Sequence, residues 1–100
     1  MRRRSDIAAT IYLFKNADSL KAYADVTFHS KVGEITIRRF KVIQAPSRKL
    51  WVALPQFEYK TFLKSKYVDA VLLPKRIIRR IQRIVLKAYA EKLHEQNSHD

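Results

Sequence analysis

The sequence predicts an α+β fold: a small antiparallel β-sheet of about five strands followed by a C-terminal amphipathic helix packed on one face. Three observations carry this. Apolar residues alternate at period two along much of the first part of the chain, turn chemistry separates the alternating runs, and residues 74–93 switch to a period near 3.6. No repeat, interdomain linker or low-complexity stretch interrupts the 100 residues. Residues 7–93 therefore read as a single domain, with a basic segment at 1–6 and a polar tail at 94–100 expected to fray.

In the first run Ile7, Ala9, Ile11 and Leu13 recur at period two, with Tyr12 and Phe14 between them, the pattern of a strand covered on both faces. Arg2, Arg3 and Arg4 precede it, as in a secretory leader. Asp6, Thr10 and Tyr12 break the apolar run, however, and no small-residue cleavage pattern follows, so a first strand is the better reading. Nothing approaches the roughly 20 apolar residues of a membrane-spanning helix. Residues 16–19 turn the chain. Leu20, Ala22, Ala24, Val26 and Phe28 then point one way, and Lys21, Tyr23, Asp25, Thr27 and His29 the other, which is a half-buried strand. The only glycine, Gly33, sits in 30–33, where a positive φ closes a short hairpin.

The strand expected at 34–44 begins with Ile35 and Ile37 on one face and continues with Phe40 and Val42, a parity shift across Arg38 and Arg39 that a β-bulge restores. Residues 45–49, with Pro46 and Ser47, read as a turn. Residues 50–54 form a fourth, fully apolar strand stopped by Pro55, with Trp51 at its centre as a core residue. Residues 67–73 are the fifth candidate strand. Pro74 fits the first helical position, where its missing N–H has no intrahelical partner.

On the wheel of that helix, Lys75, Arg76, Arg79, Arg80, Arg83 and Lys87 share one arc, and Ile77, Ile81, Ile84, Val85, Ala88 and Tyr89 share the opposite one. Cations in the first turns oppose the helix macrodipole, so their place there calls for an anionic partner. A solvated face is the bland alternative. The whole-chain balance weighs against it: 21 Lys and Arg face 9 Asp and Glu, a net charge of +12, with a pI of about 10.3. Charge on this scale raises nucleic acid as a partner. A second patch is expected from Arg38, Arg39 and Lys41 with Arg48 and Lys49, brought to one edge by the hairpin and turn, although such charges also protect sheet edges. Phe57, Tyr59, Lys60, Phe62, Lys64, Lys66 and Tyr67 interleave aromatics with cations, as base-stacking platforms do, or else fill an interface or core.

Catalysis finds little support. His29, His94 and His99 lack metal-ligand spacing with carboxylates, no nucleophile pattern stands out, and one glycine cannot make a phosphate loop. Asp25, on the polar side of its strand, and Asp69 are acids by type alone. No cofactor or metal is expected, and the absence of cysteine suits a reducing compartment. A domain this small often completes its core with a partner subunit, which makes a homodimer plausible.

The runs LKAYADVTFHSKVGEITIRRFKVI, LWVALP and YVDAVLLP, then a helix ending VLKAYAEK, resemble in order and spacing the SpoVG (stage V sporulation protein G, septation regulator) family over roughly residues 7–92. The resemblance implies a small, cytoplasmic, bacterial homodimer that binds DNA or RNA as a regulator, with no catalytic chemistry. The family's proline is usually followed by a Ser-Lys-Arg type basic turn, whereas Pro55 is followed by Gln56 and Phe57, so that contact does not carry over. The helix is also more basic than the resemblance implies, which moves the expected contacts onto Lys75, Arg76, Arg79, Arg80 and Arg83. An interaction module docking an acidic protein of a division or sporulation complex is the alternative. Adsorption of the basic helix to anionic lipid is a third, with no stable membrane association expected.

Overall fold

The computed structural model describes residues 6–14, 19–60 and 65–97. Strands β1 (Ile7–Leu13), β2 (Leu20–Ser30), β3 (Gly33–Gln44) and β4 (Leu50–Ala53) form a four-stranded antiparallel sheet in the order β1-β2-β3-β4. Strands β5 (Gln56–Lys60) and β6 (Ser65–Asp69) make a separate two-stranded hairpin, and helix α1 (Lys75–Asn97) follows. The fold is α+β, with α1 laid across one face of the larger sheet and touching all of its strands, β1 and β4 most extensively.

Alternation decides which side chains meet the helix. Ala22, Ala24 and Val26 of β2, Ile7 and Ile11 of β1, Phe40 and Val42 of β3 and Val52 of β4 are buried in one cluster with Ile81, Val85 and Tyr89 of α1. Ala22 and Ala24 are small and fully buried on the second strand, leaving room for Ile81 and Val85 in the same layer. Burying a side chain such as Ile81 contributes about 2 kcal/mol. The expected arcs of the helix hold: Ile77, Ile84 and Ala88 pack against this cluster as well.

The turns follow from their residues. Gly33 closes the β2–β3 hairpin with φ 138°, and Ser30 Oγ donates to its carbonyl at 2.9 Å. In the β3–β4 turn the Arg48 N–H donates to the Ala45 carbonyl and the Ala45 N–H to the Lys49 carbonyl, each at 2.8 Å. Pro46 occupies the second position of that turn, and Arg48 follows it with φ 71°, a left-handed position usually given to glycine.

The bulge expected on β3 is present. Ala24 pairs with Phe40 and Val26 with Ile37, so Arg38 and Arg39 together oppose Asp25, and Arg39 has φ 72°. A second register shift lies on β2 at Lys21, between the pairs Leu20–Ile43 and Ala22–Val42. The two shifts compensate, because each strand contributes one extra residue, and the ladder regains its register beyond them.

Several expectations are corrected. β1 is covered on one face only, because a single helix supplies the second layer; Tyr12 is 53% and Phe14 41% exposed. Trp51 is not core but 45% exposed, since alternation on β4 sends Val52 to the helix and Trp51 to the opposite side. The strand expected at 67–73 is instead β6 (Ser65–Asp69), paired with a further strand at Gln56–Lys60 that the sequence pattern does not mark. The hairpin closes with the Ala70 N–H on the Pro55 carbonyl at 2.7 Å, after which Leu72 is 93% exposed and pairs with no strand. Pro74 lies one residue before α1, its carbonyl accepting from the Ile77 and Ile78 N–H groups at 3.0 Å. The helix continues to Asn97, so His94 is helical rather than frayed.

Candidate nucleic-acid interface

Two basic surfaces lie on opposite sides of the molecule. The first is the outward arc of α1. Lys75, Arg76, Arg79, Arg83 and Lys87 are exposed and Arg80 is half-buried. From Arg76 to Lys87 the row runs for about 17 Å at ~1.5 Å per residue, close to the axial length of about five phosphates on one strand of a duplex. The first turn of α1 contains no acidic residue, and the first carboxylate along the helix is Glu91. From Lys75 to Arg83 the arc therefore carries repulsion at i,i+3 and i,i+4 spacing, such as Arg76 with Arg79 and Arg80, with no carboxylate at those spacings to relieve it; only Lys87 has one, Glu91 at i+4. Among the described residues these side chains make no ion pair or hydrogen bond. Their charge is open to an external anion.

The second surface is the sheet face turned away from α1. The β3 bulge sets Arg38 and Arg39 there beside Tyr12, Tyr23 and Asp25, around a shallow depression of about 350 Å³. Lys41 joins them one row along, paired directly with Tyr23. Arg38 Nε lies 3.9 Å from Asp25 Oδ2 with its side chain 79% exposed. A pair that long and that solvated holds the guanidinium only loosely. Arg48 and Lys49 are exposed in the β3–β4 turn, beyond the end of the strand. The fold thus separates them from Arg38 and Arg39, which sit within β3, instead of gathering all these cations on one edge.

Phe62 and Lys64 lie outside the described residues. Phe57, Tyr59, Lys60, Lys66 and Tyr67 belong by backbone to the β5–β6 hairpin, where Tyr59 pairs with Lys66 and Phe57 with Val68. That hairpin forms a sheet of its own, and at its base Gln56 and Asp69 share a depression with Trp51 of β4 and Ile78 and Gln82 of α1.

Sequence reasoning missed the aromatic part of the open sheet face. Tyr12, Phe14 and Trp51, expected to be covered, are exposed: alternation sets Tyr12 and Trp51 on the face opposite Ile11 and Val52, and Phe14 meets Tyr23 edge-to-face at 6.1 Å. The signal was partial: the alternation of β2 already placed Lys21, Tyr23 and Asp25 on its polar side. Among the described residues no three His, Asp or Glu side chains are grouped as a metal ion requires. Among the described residues no helix is long and apolar enough to cross a membrane. No family model, curated protein or solved structure matches this chain.

Proposed function

We propose that this protein is a small nucleic-acid-binding regulator of the SpoVG type, acting as a cytoplasmic homodimer and holding the phosphate backbone of DNA or RNA on the basic face of α1. The observation that carries the reading is the row Lys75, Arg76, Arg79, Arg80, Arg83 and Lys87, placed where it works against the helix, with no carboxylate partner among the described residues. A polyanion supplies the missing countercharge, and release of its condensed ions drives binding with steep salt dependence. The apolar arc of the helix is already buried against the sheet, which leaves little of it to insert into lipid. Dimerisation fits the β5–β6 hairpin, since a two-stranded hairpin separate from the larger sheet is marginal alone.

Fluorescence anisotropy tests this with labelled duplex DNA, single-stranded DNA and RNA of equal length, titrated at several salt concentrations. Sub-micromolar binding with a steep salt slope supports it. Absence of binding to all three overturns it and turns attention to an acidic protein partner.

A further inference from the structure

The open face of the four-stranded sheet carries a chemistry different from that of the helix. Its cross-strand rows are set by the register. Tyr12, Tyr23, Lys41 and Ala53 form one row, and Leu20, Ile43 and Trp51 the next, with Lys21 bulged beside Leu20 and its carbonyl accepting from the Phe14 N–H. Thr10, Asp25 and the bulged pair Arg38 and Arg39 lie on the other side of the first. Tyr12, Phe14 and Trp51 are 53%, 41% and 45% exposed, large aromatic areas open to solvent among the described residues. Four cations, Lys21, Arg38, Arg39 and Lys41, stand among these rings against one carboxylate, Asp25. With strands about 4.8 Å apart, β4, which carries Trp51, and β1, which carries Tyr12, are separated by roughly 14 Å across the sheet. A bare apolar face would fit a second copy of the chain, but one this basic repels its own copy and attracts a polyanion.

The backbone adds an independent observation. Arg39 is held at φ 72°, where glycine is the default, in a bulge that turns two consecutive arginines to the same face. Strained backbone positions cluster at functional sites, and here the strain sets two neighbouring guanidinium groups at a surface depression.

We propose that this face binds single-stranded nucleic acid, with bases stacking on Tyr12, Tyr23 and Trp51 and the backbone held by Arg38, Arg39 and Lys41. A duplex cannot offer splayed bases to such a sheet, whereas a single strand can. The inference rests on the nucleic-acid reading above and adds the strandedness of the ligand and a separate surface for it.

The test uses the full chain with a labelled single strand of about 12 nucleotides, in the range of known single-strand sites, and a duplex of the same length. The variants are Tyr12→Leu with Trp51→Leu, Arg38→Gln with Arg39→Gln and Lys41→Gln, and the helix set Arg76→Gln, Arg79→Gln, Arg80→Gln and Arg83→Gln. Circular dichroism melting establishes that each is folded; the substituted side chains of the first set are about half exposed or more. The leucine variant should lose about tenfold or more in single-strand affinity with an unchanged salt slope, and duplex affinity should stay within twofold. In the wild type, a saturating single strand should quench the emission of Trp51, the only tryptophan.

Single-strand binding that the leucine variant leaves intact and the helix set abolishes would overturn this proposal and leave the functional reading standing. So would duplex binding without single-strand binding. Trp51 emission that changes with protein concentration, together with a dimer that Trp51→Leu dissociates in sedimentation, would assign the face to a second copy and also overturn it. Failure of the wild type to bind either ligand would remove both proposals.

Discussion

Replacing Arg76 by glutamate should raise stability and weaken nucleic-acid binding at the same time. Arg76 is exposed in the first turn of α1, a turn without an acidic residue. Exchanging a cation for an anion there gains about 0.3–1 kcal/mol from the helix terminus at low ionic strength. Arg79 and Arg80, at i+3 and i+4, turn from repulsive to attractive neighbours, each a change of about 0.4–1 kcal/mol. The total is about 1–3 kcal/mol, or at least roughly 4 °C in Tm at about 4–8 °C per kcal/mol for a domain of this length. At about 1 M salt, where the Debye length is ~3 Å, most of the gain should vanish. Calorimetry at low and high salt reads the first effect. Anisotropy with duplex DNA reads the second, a loss of at least several-fold and a salt slope lower by about one. A lower Tm at low salt would show that Arg76 already has a partner, and an unchanged affinity would remove it from the interface.

Ile81 is 1% exposed beneath the helix, so Ile81→Ala should cost about 2–5 kcal/mol in urea denaturation and Ile81→Asp should abolish cooperative folding; a fully folded Ile81→Asp variant would place the contact elsewhere. Arg39→Gly relieves a left-handed backbone at φ 72° and should stabilise by about 0.5–1 kcal/mol while weakening single-strand binding, whereas a destabilised variant would mean that the side chain holds the bulge together. Burial raises the Tyr89 phenol above its ordinary value of 10.0. The fold thus favours the neutral form, so its contribution is complete below about pH 9 and is lost as pH rises past ~10, where the unfolded phenol ionises first. Tyr89→Phe lacks this term, and the stability advantage of the wild type over it should shrink above about pH 10; a difference independent of pH would mean an exposed phenol.

Several features were legible in the sequence because burial imposes a period. The one-sided alternation of Ala22, Ala24 and Val26, and the opposition of Ile81 and Val85 to Arg79 and Arg83, follow from a single helix covering a single sheet face. The β3 bulge was legible from its broken parity across Arg38 and Arg39. Trp51 was misread because four apolar residues in a row on a short strand do not report which face is covered. Tyr12 and Phe14 failed for the same reason. The β5–β6 hairpin was missed because residues 61–64, Thr-Phe-Leu-Lys, carry no glycine, proline or asparagine to mark a turn. Arg48 shows the converse, a left-handed turn residue that is not glycine and so left no trace in the pattern. Of the site, the helix arc was visible as charge periodicity, while the open sheet face required knowledge of which side α1 occupies.

The most direct test of the central claim is the salt dependence of nucleic-acid affinity in the wild type and in the variant carrying Arg76→Gln, Arg79→Gln, Arg80→Gln and Arg83→Gln. If the face of α1 holds phosphates, the slope of log affinity against log salt for duplex DNA should fall by about 3–4, at 0.9 per lost contact. Tm should stay the same or rise. An unchanged slope in a folded variant would contradict the account and remove α1 from the interface.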